Sequence, residues 1–222
     1  MTEDVFPPAP LPLTIGFLGH ATMVITYGTT VVHVDPWSQF ADYGRLPKAD
    51  LVLVTHDHPD HLDPKAIAQI RKDSTVVLAT PRCTDQLKGA VVVMRNGDGR
   101  SVKGIGVLAV PAYNIVHKRG PGAPYHPKGE GNGYILTLGS RKLYIAGDTE
   151  NTPEMKGLSG IDIAFLPMNL PYTMTPEMVA DAAAAFRPKI LYPYHYGETD
   201  PARLTVLLAK EKGIEVRIRP MQ

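Results

Sequence analysis

The stretch that decides the fold is LVLVTHDHPDHLDP, residues 51–64. Its first part, Leu51–Thr55, is a continuous apolar run, which is typical of a strand buried on both faces. At its other end Asp63 precedes Pro64, and this order favours a helix that begins with a side-chain cap and a proline at its first position. The sequence therefore predicts a buried strand, a polar connection and a short helix over Pro64–Arg71.

The polar connection holds the segment HDHPDH, residues 56–61, with three imidazoles and two carboxylates. Alternate side chains of an extended segment point to the same side, so His56 and His58 can bind one cation together. Asp60 and His61 follow where the chain turns toward the helix, and they can face a second cation. A solvated, charged loop is the alternative, but imidazoles at i, i+2 and i+5 after a strand favour a metal site.

Composition restricts the chemistry of such a site. The 222 residues include eight histidines and one cysteine, which excludes a disulfide framework and cysteine-rich zinc sites. A transition metal would therefore be bound by imidazole and carboxylate. With 23 basic and 22 acidic side chains, the formal net charge of +1 creates no broad field for attracting nucleic acid or an acidic membrane.

The length fits one domain, residues 1–222, with a substantial buried core. No stretch is apolar over enough residues to span a membrane, and the N-terminal segment starts acidic and contains several prolines, unlike a signal peptide. We therefore expect a protein of the cytoplasm.

Turn and strand signals organise the rest of the chain. The first half predicts strands separated by turn residues, over Leu13–Leu18, Thr22–Tyr27, Thr30–Asp35, Val76–Ala79, Val91–Met94 and Ser101–Val110, the last two joined by the turn NGDG at 96–99. The second half predicts strands over Tyr134–Leu138, Lys142–Ala146, Ile161–Leu166, Ile190–Tyr194 and Ile214–Arg219, and helices over Pro176–Phe186 and Pro201–Lys212, capped by Thr175 and Asp200. This order favours an α+β fold in which two mixed sheets pack face to face with helices outside, a four-layered αββα sandwich.

Residues 112–133 are polar and rich in glycine and proline, which predicts a long loop. Its candidate substrate contacts are Tyr113, Lys118, Arg119, Tyr125 and Lys128. Basic side chains in such a loop favour a small substrate with an anionic group, such as phosphate or carboxylate. Hydroxyl donors from the other side could come from Tyr172, Tyr194 and Tyr196.

The segment HDHPDH after a buried strand resembles the H-x-H-x-D-H signature of the metallo-β-lactamase superfamily. Three further motifs extend the resemblance along the chain in order: VDPW at 34–37, AGDT at 146–149 and PYHYG at 193–197. GHAT at 19–22 and MNLPYTMTPEMVADA at 168–182 resemble small bacterial hydrolases of the lactonase and phospholipase-D-like branch. The resemblance implies the αββα fold and a metal-dependent hydrolase.

The resemblance also implies two divalent cations, Zn, Mn or Fe, that activate a hydroxide for attack on a phosphoester or lactone. From the residues, Asp57 or Asp60 could orient the water or accept its proton. The resemblance assigns Asp148 as the bridge between the cations, His195 to the second cation, and Asp60 as both ligand and acceptor of the water's proton. The residues around Asp148 support this, because an apolar strand and a glycine lead directly to its carboxylate. Taken alone, however, that carboxylate is better interpreted as a cap of the following turn, and the HDHPDH segment is what favours the ligand.

The chain departs from the superfamily pattern at the third histidine of the first cation. The resemblance places this ligand near residues 111–114, where the chain has Asn114. His126 could fold over the site through the glycine-rich return that follows it, His117 is a second candidate, and an incomplete site is the third possibility. An incomplete site would suit a non-catalytic metal-binding module. A nuclease-type phosphodiesterase is a further alternative, which the balanced charge disfavours.

Two residues near the start of the chain are predicted to support the site. His20 lies at a strand–turn junction that the resemblance places beside the cations, so we expect it to contact a ligand or the substrate. Asp35 is expected to orient a ligand imidazole from behind. His33, inside a valine-rich strand, is expected to be structural.

Overall fold

Two seven-stranded sheets pack against each other in the computed structural model, which describes residues 1–222. The first sheet contains, in spatial order, β1 (Thr2–Phe6), β2 (Leu13–Gly19), β3 (Thr22–Tyr27), β4 (Thr30–Val34), β5 (Leu51–Leu53), β6 (Val76–Ala79) and β7 (Val92–Val93). The second contains β8 (Gly99–Val102), β9 (Ile105–Ala112), β12 (Gly131–Leu138), β13 (Arg141–Ile145), β14 (Ile163–Pro167), β15 (Ile190–Tyr194) and β16 (Glu215–Val216). A separate short hairpin joins β10 (Lys118–Arg119) to β11 (Ala123–Pro124).

Both sheets are mixed. In the first, β1 to β4 pair antiparallel and β4 to β7 pair parallel. In the second, β8, β9, β12 and β13 pair antiparallel, and β13 to β16 pair parallel. The helices are α1 (Pro64–Ile70), α2 (Pro153–Lys156), α3 (Pro176–Phe186) and α4 (Ala202–Leu207). None of them has the length and hydrophobicity that crossing a bilayer requires.

Strand β5 illustrates how the sequence creates the layers. Leu51 and Leu53 face the core between the sheets, whereas Val52 faces the opposite side. There it packs in a cluster with Ile67 and Ile70 of α1, so the strand is buried on both faces. Because side chains alternate along a strand, a run of apolar residues is what a strand between two layers requires.

Aromatic contacts define the other layers. Phe17 of β2 lies 6.3 Å from Phe165 of β14 and 5.3 Å from Tyr192 of β15, measured between ring centroids, and so joins the two sheets. On the outer side of the second sheet, Phe186 of α3 meets Tyr144 of β13 edge-on at 6.0 Å. The predicted α+β sandwich of two mixed sheets is confirmed.

The predicted strand over Ser101–Val110 is wrong as a single element. Lys103 and Gly104 adopt φ of +50° and +79°, so the chain reverses there and forms the hairpin β8–β9. The turn at 96–99 is also different from its prediction. It carries the chain from β7 in the first sheet to β8 in the second rather than closing a hairpin.

The C-terminal elements are shorter than predicted. The helix covers Ala202–Leu207 rather than Pro201–Lys212, because residues 209–212 offer no buried apolar face to support further turns. Asp200 Oδ1 still accepts a hydrogen bond from the Ala202 nitrogen, at 3.0 Å. The last strand is only Glu215–Val216.

Two strand regions were not expected from the sequence. The first is β1, which lies just before the proline-rich segment and pairs with β2. The predicted loop at 112–133 is interrupted by the β10–β11 hairpin, and β12 begins inside it at Gly131. Pairing between β9 and β12 sets Ala112 opposite Gly131, which draws the two ends of the loop together beside the first sheet's HDHPDH segment.

Candidate metal centre

Three imidazoles converge at the C-terminal end of β5, and we call them the first cluster: His56, His58 and His126. One nitrogen of each lies within 4.8 Å of the others. His56 and His58 follow β5 directly, whereas His126 comes from the segment after β11. Thr55 Oγ1 lies 3.0 Å from His56 Nδ1, so the other ring nitrogen of His56 faces the cluster.

The second cluster is Asp60, His61 and His195. The potential ligand atoms of these three residues and of the adjacent His20 all lie within 4.8 Å of one another. His61 Nδ1 lies 2.8 Å from Asp35 Oδ2, and His195 Nδ1 lies 3.3 Å from the Asn169 amide nitrogen. Each ring is therefore held through Nδ1, and Nε2 points into the cluster. This is the arrangement by which neighbouring groups orient imidazole ligands of metals.

Asp148 lies between the two clusters. Its Oδ2 is 3.3 Å from His126 Nε2 and 3.3 Å from His195 Nε2, and its Oδ1 is 3.4 Å from His61 Nε2. The tight exit from β13 requires the preceding Gly147, which has φ +67° and where a Cβ would lie 2.7 Å from the Asn132 carbonyl oxygen.

The buried polar atoms of this region lack hydrogen-bond partners. They are the Nε2 atoms of His56, His61, His126 and His195, together with Asp148 Oδ1. A buried polar atom without a partner is costly, and such atoms are rare in folded proteins. Since five of them converge and all are nitrogen or carboxylate oxygen, they fit divalent transition metals.

Electrostatics in the cluster follow from burial and proximity. Burial works to lower the pKa of His61, but the carboxylates of Asp148 and Asp35 outweigh it and raise the pKa to about 10. Burial next to other imidazoles lowers the pKa of His56 well below its usual value. Burial alone would raise the pKa of Asp148, yet His195 and His61 hold it well below the ordinary range. The centre thus favours an ionised carboxylate at Asp148.

Asp35 lies behind the imidazole of His61, one of the predicted ligands. Besides His61, its carboxylate accepts hydrogen bonds from the Thr55 nitrogen at 2.8 Å and from Thr55 Oγ1 at 2.7 Å. These bonds attach Asp35 to the residue before the HDHPDH segment. The carboxylate therefore orients His61 and fixes the exit of β5 at the same time.

His20 pairs with Asp60. Its Nε2 lies 2.9 Å from Asp60 Oδ2, and its ring centroid is 3.7 Å from that of His195. Burial works to raise the pKa of Asp60, but the hydrogen bond with His20 and the neighbouring imidazoles hold it below its usual range. His20 also accepts a backbone hydrogen bond from the His195 nitrogen at 3.0 Å, which ties the end of β2 to the end of β15.

Three of these residues have an unusual backbone. His20, Asp35 and His195 adopt φ of +55°, +41° and +45°, in the left-handed region. A residue with a Cβ pays roughly 1–2 kcal/mol there, so the surrounding structure must hold it in place. Such strain is typical of positions where side-chain direction matters more than stability.

The structure places His126 beside His56 and His58. Asn114 and His117 do not belong to this cluster. Asn114 lies behind His126 and contacts its backbone and ring through Oδ1. His117 lies outside both clusters, with Nδ1 2.7 Å from Glu150 Oε1.

Tyr194 lies in the core and does not line the cavity beside the first cluster. Burial, assisted by the Asp148 carboxylate, raises the pKa of its phenol well above the ordinary value. Its position is behind Asp148 and away from solvent. Tyr196 donates a hydrogen bond to the Arg219 carbonyl oxygen at 2.9 Å, and Tyr172 meets Tyr125 edge-on at 5.0 Å between ring centroids.

Two supporting residues were missed from the sequence. Glu150, which is fully buried, accepts hydrogen bonds from the backbone nitrogens of residues 115–117 and from the Asn114 amide. Asn169, which contacts His195, lies inside the motif at 168–182, but the motif did not predict this contact. Glu150 follows AGDT directly, and a carboxylate beside that motif was the one available signal.

A cavity of about 180 Å³ opens beside the first cluster. Two arginines line it, Arg82 and Arg119. Arg82 Nε donates to Asp57 Oδ2 at 3.0 Å, and Arg82 Nη1 lies 3.3 Å from Glu130 Oε2. The cavity gives a small molecule access to His56, His58, His126 and Asp148.

Comparison with known proteins identifies the family. Residues 14–195, well over half of the chain, match the family described as the β-lactamase superfamily domain. The chain belongs to the β-lactamase superfamily. This confirms the family that the HDHPDH, AGDT and PYHYG motifs predicted.

Relatives of this superfamily member give its class. It is 33% identical over 213 residues to a UPF0173 metal-dependent hydrolase of Thermus thermophilus, covering 90% of this chain and 93% of the relative. It is 34% identical over 218 residues to a UPF0173 metal-dependent hydrolase of Koribacter versatilis, with 92% of each covered. A crystal structure of a Parabacteroides distasonis protein, described by inference as a metal-dependent hydrolase, matches with a TM-score of 0.93 at 48% identity, covering 100% of this chain and 99% of that one. These relatives confirm the prediction of a metal-dependent hydrolase.

Proposed function

We propose that the protein hydrolyses a phosphoester or a lactone with the help of two divalent cations, Zn, Mn or Fe. The observation that carries this proposal is the position of Asp148. Its carboxylate oxygens lie 3.3–3.4 Å from the Nε2 atoms of His126, in the first cluster, and of His195 and His61, in the second. A carboxylate that reaches two sets of ligands suits a bridge between two cations.

Each of the two clusters would supply the ligands of one cation. The first cation would be held by His56, His58 and His126, and the second by Asp60, His61 and His195, with Asp148 shared. When bound, such a pair of cations lowers the pKa of a water molecule toward neutrality and polarises the oxygen of the scissile group.

Asp60 is proposed to receive the proton of the attacking water. It belongs to the second cluster, with Oδ2 3.7 Å from His61 Nε2 and 3.8 Å from His195 Nε2, and its side chain is still 32% exposed. His20 holds this carboxylate from one side. The pKa of Asp60 stays below its ordinary range, so the carboxylate is ionised at neutral pH, which is the form that a proton acceptor requires.

The substrate is proposed to be a small molecule with an anionic group. Arg119 and Tyr125 line the cavity beside the first cluster, and the Arg119 guanidinium lies over the Tyr125 ring. We also propose that the protein acts in the cytoplasm.

The experiment that tests the proposal combines elemental analysis of the purified protein with a screen of bis(p-nitrophenyl) phosphate and simple lactones. Two tightly bound ions per chain and turnover of either substrate class would support it. Zero or one ion without turnover would favour a non-catalytic metal-binding module instead. If the wild-type protein binds two ions, replacing His126 with alanine should weaken the binding of one ion and leave the other unchanged.

A further inference from the structure

Arg119 touches the first cluster from the β10–β11 hairpin. Its Nη2 lies 3.1 Å from His58 Nε2, and its guanidinium carbon lies 5.6 Å from the centroid of the Tyr125 ring. Because a guanidinium has donors and no acceptor, the lone pair of His58 Nε2 receives this hydrogen bond. A divalent cation bound at that nitrogen would take the lone pair and leave the guanidinium without this partner. The Tyr125 ring adds a cation–π contact to the Arg119 guanidinium.

The charges around the cavity are unevenly compensated. Arg82 is paired with both Asp57 and Glu130, at 3.0 Å and 3.3 Å. Lys128, on the same segment as Tyr125, is engaged by Glu154 at 2.7 Å. Arg119, by contrast, has no carboxylate within 4.0 Å, and its hydrogen-bond partner is a neutral imidazole nitrogen. Arg119 is therefore the cavity-lining cation whose charge no acidic side chain offsets.

A guanidinium at this place has a consequence for the first cluster. If the cluster holds a divalent cation, as the proposed function states, two positive charges stand a few ångströms apart and repel each other. An anionic group between them removes the repulsion and can accept two parallel hydrogen bonds from the planar guanidinium.

We propose that Arg119 binds an anionic oxygen group of the substrate, of the phosphate or carboxylate class, and holds it against the first cluster. This inference rests on the proposed function and deepens it, because it names one residue and one substrate class. A neutral, unsubstituted lactone would leave the guanidinium uncompensated. The inference therefore favours the phosphoester over such a lactone.

The test measures the affinity of the purified, metal-containing protein for inorganic phosphate by isothermal titration calorimetry. Arg119→Gln removes the charge and the forked donors, and we expect its Kd to rise about tenfold or more, the loss of one charged hydrogen bond. Arg119→Lys, which keeps the charge without the fork, should fall between. The matched control is Arg100→Gln, because Arg100 is an exposed arginine of β8 that pairs with no carboxylate and does not line the cavity; its Kd should change less than about twofold.

Two results would overturn the inference: an unchanged Kd in Arg119→Gln, which would mean that the metals alone bind the anion, or no phosphate binding by the wild-type protein. Elemental analysis of the wild-type protein and of each variant separates both results from a failure of the proposed function. That failure would appear as fewer than two ions in the wild-type protein. KM for an anionic phosphoester should also rise in Arg119→Gln.

Discussion

The side-chain oxygen of Asn114 accepts two hydrogen bonds from His126, one from its backbone nitrogen at 2.8 Å and one from ring Nδ1 at 2.7 Å. The ring bond assigns the proton of His126 to Nδ1 and leaves Nε2 as the lone pair that faces the first cluster. Asn114 thus stands where the superfamily pattern has a histidine ligand, and it positions the histidine that comes from elsewhere in the chain.

Replacing Asn114 with alanine should weaken one metal site. Without the carbonyl oxygen, the His126 ring is free to turn and to change tautomer, and the loss of such a supporting partner typically costs about 10-fold or more in metal affinity. Competition with a chromophoric chelator measures this affinity for each ion. Asn151→Ala is the control, because Asn151 pairs with Asp181 at the surface and should leave both affinities unchanged. Equal chelator titrations for Asn114→Ala and the wild type would contradict the positioning role.

Asp60→Asn should remove turnover of any substrate that is found. The amide keeps the size of the side chain but cannot take the proton of the attacking water, and a general base typically contributes about 100-fold or more. Turnover, metal content and the circular dichroism spectrum should be measured together, with the fold expected to stay intact. Asp57→Asn is the matched control, since Asp57 lies in the same segment but is engaged by Arg82. If Asp57→Asn loses more activity than Asp60→Asn, the assignment of the base is reversed.

Glu150→Gln should destabilise the fold and also loosen the first cluster. The buried carboxylate accepts hydrogen bonds from three consecutive backbone nitrogens and from Asn114, so the neutral amide weakens several charged hydrogen bonds at once. We expect a loss of about 2 kcal/mol in the free energy of unfolding, measured by urea denaturation. Glu154→Gln, at a partly exposed ion pair with Lys128, should cost less than about 1 kcal/mol. An effect of equal size in both variants would argue against a special role for Glu150.

The stability of the wild-type protein should fall between neutral pH and about pH 4 through His33. Burial lowers the pKa of this imidazole from 6.5 to about 4, although the hydrogen bond with the Pro47 carbonyl partly opposes it. Below pH 6.5 the unfolded chain therefore binds a proton that the folded chain does not, and the free energy of unfolding decreases until the folded form also binds it.

His33→Gln, which retains a donor for Pro47, removes this contribution. The difference in unfolding free energy between wild type and variant should shrink by roughly 2 kcal/mol from pH 7 to pH 4, measured by urea denaturation at each pH. A difference that stays constant over this range would show that His33 is not buried in its neutral form.

Local signals in the sequence were sufficient for much of the fold. The burial of β5 on both faces follows from Leu51, Val52 and Leu53 alone. Asp63 Oδ1 accepts hydrogen bonds from the Lys65 and Ala66 nitrogens in the first turn of α1, as its position before Pro64 predicts. The same holds for α3, which begins after Thr175 and covers Pro176–Phe186 as predicted. These features depend on residues close together in the chain, so pattern and capping chemistry are enough.

Features that depend on pairing between distant segments were harder to predict. The run Ser101–Val110 looks like one strand because its residues suit strands throughout, and only the reversal at Lys103 and Gly104 divides it. A backbone φ above zero at a lysine has no sequence signature. In the same way, the Arg119 contact with His58 depends on where the β10–β11 hairpin folds over the site.

By itself the sequence determined the strand that ends in HDHPDH, the αββα order of elements and the choice of imidazole and carboxylate as the chemistry of the site. Each of these follows from side chains that are neighbours along the chain or from composition. The tertiary structure alone decided that His126 joins His56 and His58, with Asn114 behind it. The reason is physical: pairing between β9 and β12 brings the ends of the intervening segment together, and hydrogen bonds across that segment orient the imidazole.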